Sequence, residues 1–154
     1  MKKNPKVLII ENSNQETKKV VDIINQNNLF TPLIAANDFE AFKILRQQRL
    51  GLGFIGYDID CIILNHNAKT EASSHELKFL TALRHEESLN FLYYRIPIII
   101  INNSTGKLSK SVVSDLSAIK LIASFTKEDL INLLKRIIFD HDAEILLEIL
   151  TDKS

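Results

Sequence analysis

The chain reads as a doubly wound α/β fold, a five-stranded parallel sheet covered by helices on both faces, and two observations predict it. Short apolar runs without polar alternation, such as Val7-Leu8-Ile9-Ile10 and Ile98-Ile99-Ile100-Ile101, are what strands buried on both faces look like. Between them lie stretches with apolar residues at helical spacing, and only crossover helices join neighbouring parallel strands. The order βαβαβαβαβα fits one domain, since 154 residues are too few for two of ordinary size.

The first strand is Lys6-Val7-Leu8-Ile9-Ile10, ending in the polar pair Glu11-Asn12. Ser13-Asn14-Gln15-Glu16 follows with the spacing of a capping box, and Val20, Val21, Ile23 and Ile24 give the first helix its apolar face. Residues 25–28, three of them asparagine, end it. Residues 31–36 form a short second strand with Pro32 near its start, where a missing ladder donor is tolerated. Asn37 or Asp38 caps a second helix carrying Phe39, Phe42, Ile44 and Leu45. Residues 49–57 read as a long loop holding three of the four glycines. The third strand is residues 60–65, ending in Asn65. Ser73-Ser74-His75-Glu76 is a second capping box, with Leu77, Leu80 and Leu83 behind it. Residues 86–95 read as an insertion bearing Leu89, Phe91, Leu92, Tyr93 and Tyr94. Residues 97–101 form the fourth strand, ending in Asn102-Asn103; a short helix over 109–117 and a fifth strand over 119–122 come next. Thr126-Lys127-Glu128-Asp129 starts a last helix through Leu130, Leu134, Ile137 and Ile138. Residues 1–139 make the domain. Residues 140–154 are an acidic tail with Ile145, Leu146, Ile149 and Leu150 on one helical face, which extends the last helix, folds back, or begins a linker.

Composition narrows the function classes. With 45% hydrophobic and 25% charged residues the chain can bury a real core, which excludes a disordered tail or a disulfide-stapled miniprotein. Lys plus Arg (19) balances Asp plus Glu (19), so no net field draws it to nucleic acid or to an acidic membrane. Cys61 has no second cysteine to pair with, in keeping with a reducing compartment, and no run approaches the length of a membrane span. A cytoplasmic protein is expected.

Two glycine motifs are decoys. Gly51-Leu52-Gly53-Phe54-Ile55-Gly56 matches the dinucleotide string, but a helix precedes it and a strand follows, the reverse of what places a pyrophosphate on a helix N-terminus. Ser104-Thr105-Gly106-Lys107 follows a strand, yet Ile101 stands where a phosphate loop needs glycine and Leu108 where it needs a hydroxyl. His66, His75, His85 and His141 form no ligand pattern, so no metal is expected. His66 adjoins Asn65 at the strand ends and is read as a loop residue. Cys61 is read as packing.

Ligands of doubly wound folds bind beyond the carboxyl ends of the strands. Here those ends carry Glu11-Asn12, Asn65, Asn102 and Ala123. In order and placement, residues 6–138 resemble a response-regulator receiver domain, a CheY-like, flavodoxin-like three-layer sandwich. Such domains carry two acidic residues after the first strand, a phospho-accepting aspartate after the third, a threonine or serine after the fourth and Lys-Pro-Phe after the fifth. The matching stretches are Ile9-Ile10-Glu11-Asn12, Ile63-Leu64-Asn65, Ile100-Ile101-Asn102 and Ile122-Ala123-Ser124-Phe125, and Ala36-Asn37-Asp38-Phe39-Glu40-Ala41 resembles the family's start of the second helix. The chemistry departs from that pattern. Glu11 alone keeps an acid, Asn65 replaces the acceptor, Asn102 the hydroxyl, Ala123 the lysine and Ser124 the proline; Glu11, Asn12, Asn65, Asn67, Asn102 and Ala123 line a degenerate acceptor pocket. An amide is no oxygen nucleophile for phosphorus, and one carboxylate is a poor cage for a hard divalent ion. Replacing crowded carboxylates by amides gives a polar pocket that needs no metal. Lys120 stands where the family carries its switching aromatic.

The resemblance implies a phosphorylation-independent pseudo-receiver, not an enzyme and without a cofactor, acting in signal transduction by binding a protein partner. It points to the fourth helix, fifth strand and fifth helix as the interface, with Lys110, Lys120, Lys127, Glu128, Asn132 and Lys135; Phe91, Tyr93 and Tyr94 compete with them, because aromatic residues are enriched at interface cores. The apolar stripes of the last helix and the tail suggest a weak homodimer. A second reading is a flavodoxin-like binder of a small molecule or nucleotide, using Asn12, Asn65, Asn102 and His66 in the strand-end crevice.

Overall fold

The structure, a computed structural model, describes residues 4–11, 15–50, 56–66, 73–89, 95–102, 118–122 and 125–140. Strands β1 (Lys6–Ile10), β2 (Thr31–Ala35), β5 (Cys61–His66), β6 (Ile98–Asn102) and β7 (Ala118–Ile122) form one sheet in the order β2-β1-β5-β6-β7. Every pairing in it is parallel. The chain steps outward from β1 to β2, then returns to the other side of β1 through β5. That reversal opens a crevice between the carboxyl ends of β1 and β5, where Glu11 and Asn65 stand.

The pleat divides the apolar runs between two layers. Val7, Ile9, Cys61, Ile63, Ile99, Ile101 and Ile119 pack against α1 (Gln15–Asn27) and the last described helix. Leu8, Ile10, Ile62, Leu64, Ile98 and Ile100 pack on the other face, against α2 (Asp38–Gln47) and α3 (Ser73–Ser88). All thirteen are at most 3% exposed, and this double burial is why the strands show no polar alternation.

Local chemistry sets the helix limits. Helix α1 is followed by Asn28 at φ 61°, the left-handed conformation that asparagine tolerates. Asn37 caps α2, its side chain accepting from the Glu40 amide at 2.9 Å while Glu40 accepts from Ala36 N–H at 2.8 Å. The last described helix, α4 (Lys127–Lys135), begins with a full capping box between Thr126 and Asp129 and continues as a π-helical turn, Arg136–Asp140. Its apolar stripe is consumed by the core, for Leu130, Leu134, Ile137 and Ile138 are all buried. The tail's stripe, the other one behind the homodimer expectation, lies outside the described residues.

Three segments differ from the sequence reading. The expected loop over 49–57 is framed by an antiparallel ladder, β3 (Arg49–Leu50) with β4 (Gly56–Tyr57), because Gly56 at φ 120° supplies a backbone conformation closed to other residues. Lys6 clasps this hairpin to the sheet through Gln48 (2.7 Å) and Asp58 (2.8 Å), and Tyr57 donates to Glu86 of α3 (2.9 Å). Burial, with the Glu86 hydrogen bond and charge, pushes the Tyr57 phenol up to about 12. Helix α3 begins at Ser73 itself rather than after a capping Ser73, and it runs on to Ser88. Glu86 and Glu87 are therefore helical instead of opening an insertion. Glu87, fully buried, pairs with Arg84 at 2.6 Å and accepts the Ile96 N–H at 2.6 Å, which fixes where the chain re-enters the sheet. The Ser13 cap, the helix over 109–117 and the tail lie outside the described residues.

Candidate functional site

Glu11 follows β1 and is half-buried, held by its backbone on two sides. Its N–H donates to the Ala35 carbonyl at 2.8 Å, and its carbonyl accepts from the buried Thr17 hydroxyl at 2.7 Å. The turn from β1 into α1 is thereby pinned to the neighbouring strand. Asn65 is 3% exposed in β5, and its Nδ2 has no hydrogen-bond partner among the described residues. The register Ile9↔Ile63 carries the same pleat forward to Glu11 and Asn65, which places both on the α1–α4 side of the crevice mouth. Asn65 pairs with Ile101, whereas Asn102 lies one row further on, in register with His66 and with Ile122. The topology therefore brings Glu11 and Asn65 together at the edge and sets Asn102 and His66 in the next row. Asn12, Asn67 and Ala123 lie outside the described residues.

The expected interface is divided in the same way. Lys127, Glu128, Asn132 and Lys135 are exposed along α4, whose opposite side is buried by Leu130, Ile131 and Leu134. The backbone of Lys120 lies in β7, paired with Ile100. Lys110, Phe91, Tyr93 and Tyr94 fall outside the described residues.

Lys19 escapes the sequence reading. From α1 its ammonium donates to the Phe125 carbonyl and stands 4.0 Å from the centroid of the Phe125 ring, itself 3% exposed. A cation of the first helix thus anchors Phe125, two residues ahead of α4. A lone lysine on a helix reads as solvated, and its partner is 106 positions away, so only a buried aromatic just before a capping box signals such a tie. Beside it a groove of about 460 Å³ runs along α1, lined by Gln15, Lys18, Lys19, Asp22, Ile23 and Gln26, with Lys127 of α4 at its upper end.

Cys61 is fully buried, and desolvation with the nearby Asp60 charge pushes its thiol far up, away from thiolate chemistry. Among the described residues no three His, Cys, Asp or Glu side chains gather as a metal site requires, and no helix is long and apolar enough to cross a membrane.

No protein-family model and no curated protein matches the chain. Solved structures do. The N-terminal domain of a response regulator/sensory box/GGDEF 3-domain protein from Carboxydothermus hydrogenoformans superposes with a TM-score of 0.64 at 16% identity, over 91% of this chain and 98% of that one. Chemotaxis protein CheY4 of Vibrio cholerae gives 0.62 at 22% identity, over 86% and 98%. The phosphorylated cyanobacterial phytochrome response regulator RcpA gives 0.58 at 15%, over 91% and 97%. At these identities the likeness is one of fold.

Proposed function

We propose that this chain, which has the CheY-like, flavodoxin-like fold of response-regulator receiver domains, is a pseudo-receiver: a signalling module that works by binding another protein and neither accepts a phosphoryl group nor catalyses a reaction. The observation that carries this reading is Asn65, a buried amide at the end of β5 where a receiver presents its aspartate. Its Nδ2 is a donor, and its carbonyl oxygen is too weak a nucleophile to attack phosphorus in line. Glu11 is the one carboxylate retained from the acid pair, so little charge is offered to a divalent ion. Lys19 is in keeping with a static role, because it anchors Phe125 just ahead of α4.

Incubation with acetyl phosphate and magnesium, followed by intact-mass measurement, tests this reading. No mass gain is expected, and Asn65→Asp alone gains little, since Asn12, Asn102 and Ala123 still leave metal binding and charge neutralisation incomplete. An acid-labile phosphoryl adduct on the wild type, lost on changing Asn65, overturns it.

The Nδ2 of Asn65, without a hydrogen-bond partner among the described residues, also favours a second reading, a small molecule that accepts a hydrogen bond in the strand-end crevice. Native mass spectrometry of the purified chain separates the two: a retained ligand, lost in Asn65→Leu, selects the binder.

A further inference from the structure

The outer side of α2 carries an aromatic ring and cations that the fold does not use. Ala41 and Leu45 turn the helix onto the sheet, both at 0% exposure. Phe42 is drawn in beside them, its ring 4.8 Å from that of Phe79 in α3. Phe39 stands two positions before Ala41, about 200° round the helix, and is 76% exposed, the highest value among the large apolar residues described. The sequence pattern includes Phe39 in the apolar stripe of α2; the structure leaves it in water. Lys43 and Arg46 follow at i+4 and i+7, so the three residues share one face over about 10 Å, and both cations are exposed.

Charge on this side of the molecule is one-sided. The described carboxylates of α2 and α3 are engaged within the fold: Glu40 accepts the Ala36 N–H, Glu86 accepts from Tyr57, Glu87 is buried against Arg84, and Asp38 is engaged as well. Lys43 and Arg46, with the exposed Lys78 next to Phe79 on α3, have no ion-pair partner among the described residues. Arg49, just past the end of α2, is exposed and hydrogen-bonded to Tyr57, and adds a further positive charge. A single exposed apolar residue is ordinary; one aligned with two unpaired cations is the pattern of an interface, where aromatic residues and arginine are enriched. The balance of 19 basic and 19 acidic residues gives the chain no long-range field for a phosphate backbone, which favours a protein over a nucleic acid.

We propose that the Phe39–Lys43–Arg46 face of α2 docks an acidic segment of a partner protein, with an apolar side chain of that segment packed on Phe39 and its carboxylates paired with Lys43, Arg46 and Lys78. The proposal rests on the reading that the chain works by binding another protein, and gives that role a surface and a partner chemistry.

Selection of a displayed library of random peptides on the immobilised full chain tests it. The enriched peptides are expected to carry several Asp or Glu around an apolar residue, and a synthetic copy of the leading peptide should bind Phe39→Ser about tenfold or more weakly than wild type. The double charge reversal Lys43→Glu with Arg46→Glu should turn the selection toward basic peptides, which a merely structural role for these side chains does not produce. No enrichment, neutral or basic peptides on the wild type, or binding indifferent to these changes overturns the proposal. So does tighter binding of a single-stranded oligothymidylate that is lost in Phe39→Ser, which makes the partner a nucleic acid. Concentration-dependent mass in light scattering, lost in Phe39→Ser, makes the occupant a second copy and overturns it too. Circular dichroism of each variant confirms that it is folded. Acidic peptides lost on Lys127→Glu but not on Arg46→Glu place the partner on α4, which overturns this proposal while the binding role stands.

Discussion

Glu87 shows how one buried carboxylate can be structural rather than catalytic. Burial raises its carboxyl above the ordinary value, and the Arg84 charge and the Ile96 N–H offset part of that shift. A carboxyl whose folded value lies above its unfolded one contributes stability that is full below the unfolded value. That contribution is lost as pH rises through the folded value. The stability difference between wild type and Glu87→Gln, from urea midpoints across a pH series, should therefore be most favourable to the wild type in acid and shrink toward neutrality. A difference independent of pH would show that the pair with Arg84 cancels the effect of burial, and one that grows toward neutrality that it outweighs burial. Asn65 offers the contrasting case of a neutral buried group, where an amide avoids the repulsion that a second carboxylate beside Glu11 would bring.

Among the elements, the starts of α2 and α4 are the most legible in the sequence. Thr126 and Asp129 satisfy each other's backbone amides at 2.9 and 3.1 Å, and Asn37 does half of this for α2 with Glu40 completing the turn. Thr126→Ala should cost about 1 kcal/mol, the usual worth of such a cap, read as a lower urea midpoint at unchanged slope. An unchanged midpoint would mean that burial of Leu130 and Leu134 alone sets where α4 begins. The hairpin of β3 and β4 was not legible. Two-residue strands have no periodicity to detect, and Lys6, distant in sequence, decides the hairpin's place through Gln48 and Asp58.

For the molecule as a whole, the crevice mouth should be indifferent to magnesium. A ligand that binds only the folded state stabilises it by RT ln(1 + [L]/Kd), so a site with Kd of about 1 mM tested at about 10 mM would add about 1.4 kcal/mol. Thermal unfolding with and without magnesium is expected to coincide; a saturable shift abolished by Glu11→Gln would reveal a working cation site.

The sequence by itself determined the α/β class, the five strands of the main sheet and most of their limits. Burial on both faces demands runs such as Val7 to Ile10 and Ile98 to Ile101, and those runs are visible without coordinates. It also determined which chemistry is missing from the strand ends, since the identity of residue 65 needs no structure. Only the tertiary structure decided which residues meet. The register of β1 on β5, carried on from Ile9↔Ile63, puts Glu11 and Asn65 in one row and leaves Asn102 a row away, and the packing of α1 beside α4 brings Lys19 to Phe125. These juxtapositions join residues far apart in the chain, and their geometry follows from how layers pack around a shared core rather than from any local pattern of residues.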